Sequence, residues 1–327
     1  MSPRYSVVIT AHNAAGTIGD SLRSLARQEG IAPRDLEVVL VDDRSTDDTL
    51  EAARAAGLDC LRPIRIDKAA SSDLTTRQQA LAVAFTEARG DIVLTLDADG
   101  IAAPRWVRHM VEPIEQGRVD AVAGGVSFRA RTGWIGLWQT VDQTVYLSIC
   151  RILSALGFAS GVLFGSFAFR RELFAGIDGW ERIGRTLIED MAFAHALHAG
   201  GARIAYDARP DMEVEACASW GVLIERAKRV SAGGVSTLSI AIGGWMALLI
   251  AAAIAAVIFG SAAMTVLAVR YGLGVAHTMF ALLRAGQWRL APLAFLYEPL
   301  AIGIGALVAV RLMRGNSVEW GGNRYER

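Results

Sequence analysis

Asp97 and Asp99 stand one residue apart in Leu94-Thr95-Leu96-Asp97-Ala98-Asp99-Gly100, a spacing that suits a hard metal ion. The apolar residues Ile92, Val93 and Leu94 lead into them, and side chains two apart on a strand point the same way. Two carboxylates meeting where a strand gives out leave most of an octahedral shell open. That fits Mg2+ or Mn2+ shared with the phosphates of a ligand. An Asp-rich turn closing a buried strand would look the same in isolation, so the neighbours matter. Asp42 and Asp43 close a second apolar run, residues 36–41, and Asp42 could accept hydrogen bonds from a ribose or a base edge. Asp190, beside Glu189 at a helix start, could deprotonate an incoming hydroxyl. Arg226 and Arg229 share one helical face and could clamp a diphosphate. Together these residues describe group transfer from a nucleoside diphosphate donor to an alcohol.

The elements that must position them follow a strand–helix alternation. Residues 5–10, 36–41, 64–66 and 92–96 are short β-branched or aliphatic runs. Between them, 18–28, the stretch after Ser45-Thr46-Asp47-Asp48, and 76–87 carry helical periodicity. Continuous apolar strands alternating with helices imply a parallel sheet covered on both faces. In such sheets ligands bind beyond the carboxyl ends of the strands, where both acidic clusters fall. Residues 121–128, 165–171 and 203–206 are expected strands, and 185–199 a helix opening on Glu189-Asp190. The stretch 134–164 is aromatic and apolar but interrupted by Asp142 and Arg151, and reads as amphipathic helices at a membrane interface.

Composition places this domain beside a membrane. The chain has 327 residues, 53% of them hydrophobic, with a mean hydropathy of +0.33, more than one soluble domain needs. Net charge is zero, but from Glu225 onward ten Arg or Lys face four acids, and the upstream part carries the matching acidic excess. An acidic front with a basic, apolar tail suits an anionic membrane surface and is unlike a nucleic-acid binder. Residues 240–269 carry no charge and are long enough to cross a bilayer, which takes about 20 helical residues. Residues 290–310, broken only by Glu298, form a second such stretch, and 271–283 is a span or an interfacial helix. Placing arginines on the inner face favours two spans over three. The expected division is a catalytic domain over 1–230 and a membrane region over 231–327. The start of the chain enters a strand almost at once, without a signal peptide, which implies a catalytic domain on the cytoplasmic face of the inner membrane. Three scattered cysteines form neither a disulfide framework nor a metal cluster.

The chain resembles a family 2 glycosyltransferase of the GT-A (nucleotide-diphospho-sugar transferase) fold, an α/β class, with C-terminal transmembrane helices. The resemblance rests on Val7-Val8-Ile9-Thr10-Ala11-His12-Asn13, on Val39-Leu40-Val41-Asp42-Asp43 through Thr49, on Leu96-Asp97-Ala98-Asp99, and on Ile188-Glu189-Asp190, in the family's order. It implies a nucleotide contacted near Ala11, Asn13 and Asp43, a metal at Asp99 and a catalytic base at Asp190. Asp42 and Asp97 are further candidates for the nucleotide, and Arg226 and Arg229 for the diphosphate. Members with trailing membrane helices, such as ceramide glucosyltransferases and hopanoid-associated relatives, carry a (Q/R)xxRW motif. The matching stretch here is Arg226-Ala227-Lys228-Arg229-Val230. Valine in place of tryptophan argues against processive polymer synthesis.

The expected activity is metal-assisted, inverting transfer of a sugar from a nucleotide-sugar, UDP-linked by family habit, to a hydroxyl on a lipid. A soluble or polysaccharide acceptor is the alternative. A nucleotidyl transferase would need lysines near the phosphates, and Lys68 and Lys228 are the only two. A non-catalytic membrane scaffold would not require Asp99 or Asp190.

Overall fold

The computed structural model describes residues 3–67, 73–129, 133–232, 236–314, 317–320 and 323–326. The chain forms two compact units: 1–129 with 161–215, and 130–160 with 216–327. This cut differs from a sequential boundary at 230. The segment 130–160, inserted in the first unit's sequence, and 216–230 both group with the C-terminal helices.

The first unit is built on an eight-stranded sheet. Strands β1 (Tyr5–Ala11), β2 (Leu36–Asp43), β3 (Leu61–Ile66) and β4 (Ile92–Asp97) lie parallel in the order β3-β2-β1-β4. Helices α1 (Ile18–Leu25), α2 (Thr49–Ala55) and α3 (Thr76–Glu87) connect them. Every residue of β2 is buried, as a strand covered on both faces requires. Thr10 pairs with Val41 on one side and Asp97 on the other, so the acidic strand ends form one row across the sheet.

Beyond β4 come β5 (Ile101–Ala102), α4 (Trp106–Glu115) and β6 (Ala121–Arg129), then α5 (Trp134–Ala155) of the other unit. The chain returns through β7 (Phe167–Arg170), α6 (Glu172–Gly176), α7 (Gly179–Ile183), α8 (Glu189–Ala199) and β8 (Ile204–Glu215). β7 starts beside Thr95, at the acidic end of β4, and so must run back along it. The sheet is therefore mixed rather than all-parallel: β1–β4, β6 and β8 run one way, and β7 and β5 run against them. Phe85 of α3, Phe164, Phe167 and Phe169 of β7, Phe174 of α6, Trp180 of α7 and Phe193 of α8 form one aromatic cluster, neighbouring rings 5.1 to 6.4 Å apart. Such pairs add about 0.5–1.5 kcal/mol each beyond burial, and here they fix α8 against α3 and β7.

The second unit gathers α5, α9 (Trp220–Ala232), α10 (Thr237–Phe259), α11 (Ser261–Arg284) and α12 (Ala294–Arg314), with a terminal hairpin of β9 (Ser317–Trp320) and β10 (Asn323–Glu326). Three helical stretches, Thr237–Phe259, Ser261–Arg284 and Trp288–Met313, are long and apolar enough to cross a membrane. The uncharged run 240–269 is thus not one span. Gly260, at φ +70°, breaks it into two helices joined by a tight turn, a backbone conformation that glycine adopts at little cost.

Trp138, Val141 and Val145 of α5 share a core with Leu223, Leu282, Tyr297 and Ala301. Tyr297 donates to Asp142 Oδ1 at 3.0 Å and Gln287 to Thr144 Oγ1 at 3.2 Å. Trp134, Ile152, Leu156 and Phe158 remain exposed, the apolar face an interfacial helix presents. At the other end of α12, Arg311 pairs with Glu225 of α9 at 2.5 Å.

One ion pair lies inside the apolar helices. Arg270 of α11 reaches both oxygens of Glu298 on α12 at 3.1 Å, donates to the Trp245 carbonyl at 2.6 Å and lies 3.6 Å over the Trp245 ring. Trp245 Nε1 donates to the same carboxylate at 2.7 Å. Gly274 makes room for it, since a Cβ there would sit 2.3 Å from Glu298. Removing one partner of such a pair strands a buried charge at a cost of about 3–5 kcal/mol, whereas replacing both is often neutral. Glu298→Leu is therefore expected to destabilise the detergent-solubilised protein strongly, and Arg270→Leu with Glu298→Leu to recover most of the loss. Unfolding midpoints of the single and double variants check this.

Candidate active site

The acidic end of β4 and the acidic start of α8 meet at one guanidinium. Arg77, in the first turn of α3, donates from Nη2 to Asp97 Oδ1 at 2.8 Å, and its Nε lies 2.7 Å from Glu189 Oε1. Burial alone would loosen its proton, but the charges of Asp97, Glu189 and Asp190 outweigh this and hold it protonated. The helix carrying it starts at a capping box. Thr75 accepts from the Gln78 backbone, and the Gln78 side chain accepts from the Thr75 backbone. The same Gln78 donates to the Gly184 carbonyl at 2.8 Å and accepts from the Thr186 N–H at 3.1 Å. Sequence reasoning missed both residues, although Thr75-x-x-Gln78 is a legible cap signature.

Asp97 closes β4, while Asp99 lies in the turn beyond it, where Gly100 N–H donates to the Asp97 carbonyl at 2.9 Å. The two carboxylates are therefore not neighbours on one strand face, as their spacing suggested; a turn presents the second. Gly100 is needed for that turn, because a Cβ would meet Leu96 Cδ1 at 2.6 Å. Burial first, then the negative charge of Asp97, push the Asp99 carboxyl above the usual range, and Glu215 adds to the effect. A divalent cation would relieve that field, and hard carboxylate oxygens fit Mg2+ or Mn2+. Among the described residues, no group of three His, Cys, Asp or Glu could hold a metal ion. The cation would rest on Asp99 and Asp97 and complete its shell from phosphate and water.

The acidic pair at the start of α8 divides its roles by exposure. Glu189 is buried at 5% exposure and engaged by Arg77, whereas Asp190 is only half-buried. Asp190 Oδ1 accepts from the Met191 N–H at 2.8 Å.

At the ends of β1 and β2, Asp42 and Asp43 point to opposite faces of their strand, as adjacent residues must. Asp42 is fully buried, 3.3 Å from Arg65. Asp43 retains a little exposure; burial pushes its carboxyl up and the paired Arg44 draws it back. Ala11 is buried. Asn13, at φ +52°, accepts from Thr46 N–H at 2.8 Å through its side-chain oxygen, and its own N–H donates to Ser45 at 2.9 Å. Its main work is to tie the two loops together. His12 Nδ1 lies 2.7 Å from the Asp43 carbonyl. Arg226 and Arg229 stand on α9 in the second unit, Arg226 exposed and Arg229 half-buried.

Gly165 lies directly over Asp97, and a Cβ there would sit 2.9 Å from Oδ2. Gly165→Ala is expected to leave the fold intact but displace this carboxylate. Displacing a group that orients a metal ligand typically costs ~10–100-fold in metal affinity. Mn2+ titration beside a melting curve checks it.

The family models bear directly on these residues. "Glycosyl transferase family 2" matches residues 6–175, and "Glycosyl transferase family group 2" matches 92–310. Glycosyltransferase AglD of Haloferax volcanii is 36% identical over 155 residues, covering 42% of this chain and 24% of that protein. The undecaprenyl-phosphate 4-deoxy-4-formamido-L-arabinose transferase of Edwardsiella ictaluri is 32% identical over 114 residues, 34% of each chain. The chain thus spans about a quarter to a third of the length of these relatives. Among solved structures, a Pyrobaculum calidifontis mannosyltransferase, PcManGT, in complex with GDP-Man and Mn2+ superposes with a TM-score of 0.54 at 20% identity, over 91% of this chain and 88% of that one. S. aureus TarS 1–349 in complex with UDP-GlcNAc gives 0.52 at 16% identity, over 99% and 96%. The structural likeness shows the GT-A fold, and the family models, one covering β1 to β7 and the other continuing into the apolar helices, show that this chain belongs to glycosyl transferase family 2.

Proposed function

We propose that the protein moves a sugar from a nucleotide-sugar to a membrane lipid by direct, inverting displacement. The observation that carries this is the joining of Asp97, Glu189 and Asp190 around Arg77 at the carboxyl end of the parallel strands. Asp43 and the loops tied by Asn13 would receive the nucleoside. Arg226 and Arg229 of α9 would hold the diphosphate. A divalent metal on Asp99 and Asp97 would neutralise charge on the leaving diphosphate. Asp190 would take the proton of the acceptor hydroxyl as its oxygen attacks the anomeric carbon. The bond from that carbon to the diphosphate oxygen breaks, and the nucleoside diphosphate leaves with the electron pair. One base and no protein nucleophile suffice for such a step.

The lipid acceptor draws support from the apolar helices and from the exposed apolar residues at the ends of α5, Trp134, Ile152, Leu156 and Phe158. On this reading the protein would sit in the inner membrane with the first unit on its cytoplasmic face. A second reading has the chain's likeness to undecaprenyl-phosphate transferases in its favour: the acceptor would be a lipid phosphate, already ionised, with no need of a base.

Nucleotide release by the detergent-purified full chain tests both readings, using a panel of UDP- and GDP-sugars, Mn2+, and either glycolipid or polyprenyl phosphate. Asp190→Asn is expected to lower release with the hydroxyl acceptor by about 10²-fold or more, leaving nucleotide binding nearly intact. Full activity of Asp190→Asn on polyprenyl phosphate would favour the phosphate acceptor. Release that needs neither lipid nor Mn2+ would overturn the proposal.

A further inference from the structure

We propose that Arg77 is a positioning residue that indexes the Asp190 helix to the Asp97–Asp99 turn, with Glu189 as its second anchor. The inference deepens the proposed function and rests on it only for its kinetic consequence. Arg77 contacts both acidic motifs, at 2.8 Å to Asp97 and 2.7 Å to Glu189. Glu189 is buried and precedes the proposed base by one residue, so its carboxylate fixes where the first turn of α8 begins. Gln78, the next residue on α3, grips the loop before that turn at Gly184 and Thr186. Two adjacent residues of one capped helix start thus hold the loop and the acidic pair. The packing of Phe85 against Phe193 at 5.8 Å holds the same two helices farther along.

Nη2 donates to Asp97 while Nε meets Glu189 as an ion pair, so the guanidinium spans two carboxylates that a compact ammonium cannot reach together. Charge alone is therefore not enough at this position. Misplacement of a catalytic group by about 1 Å can cost on the order of 10²-fold in rate. The cost should fall on turnover and spare donor affinity, because the tie runs between two protein motifs.

The test uses the full chain in detergent with Arg77→Lys, Arg77→Met, Glu189→Gln and the Arg77→Met/Glu189→Gln pair. Hydrogen exchange over residues 184–192 should rise in every variant, whatever the reaction. Nucleoside diphosphate affinity, measured by titrating UDP or GDP with Mn2+, should change less than about threefold, and kcat should fall by about tenfold or more. The pair should be no worse than the poorer single, as for groups acting as a unit. Arg77→Lys and Glu189→Gln carry the test if Arg77→Met does not fold. Unchanged exchange over 184–192 would overturn the proposal. So would an affinity loss as large as the fall in kcat/KM, which would make Arg77 a donor ligand. If the wild type turns over no donor, the proposed function fails while the exchange measurement still decides the positioning role.

Discussion

Carboxylates gathered at one end of a sheet repel one another, and a fold that collects them there must supply a compensating charge. In the first unit that charge is Arg77. Without it, Asp97 would face Asp99 across a single turn, with Glu189 buried nearby and unpaired. With it, the repulsion becomes a bridge between β4 and α8. The arrangement depends on where α3 starts, which the capping box of Thr75 and Gln78 sets. The geometry of the candidate site thus traces back to a helix terminus that carries no proposed catalytic group.

Much of this was legible in the sequence because strand patterning and acidic strand ends are local signals. Strands β1, β2 and β4 and helix α3 fall close to where periodicity put them. What was not legible depends on partners distant in sequence. The spacing of Asp97 and Asp99 suggested one strand face, whereas a turn closed by Gly100 presents the second carboxylate. Adjacent Asp42 and Asp43 look equivalent in sequence, yet strand alternation turns Asp42 inward to Arg65. Nothing near Arg77 announces that it will meet Glu189, more than a hundred residues away. The antiparallel β7 follows from the chain leaving the first unit after β6 and re-entering at the acidic end of β4.

The second unit shows the same logic under a different solvent. An arginine inside a hydrocarbon layer is costly unless its charge and hydrogen bonds are met. Arg270 meets them with Glu298, the Trp245 carbonyl and the Trp245 ring, drawing three helices onto one contact. Hydropathy saw residues 240–269 as uninterrupted because Gly260 is as uncharged as its neighbours. Its backbone conformation, which hydropathy does not read, makes the run a pair of antiparallel helices.

The turn at Gly260 also decides how charge is sorted across the bilayer. A hairpin of α10 and α11 returns the chain to the side on which α10 starts, and Arg284 ends α11 there. The third apolar stretch, Trp288–Met313, carries Arg289 at one end and Arg311 at the other, so a crossing there would part the two. Arg270 is neutralised inside by Glu298. A single glycine dihedral thus decides from which end of the helices the chain enters its last apolar stretch.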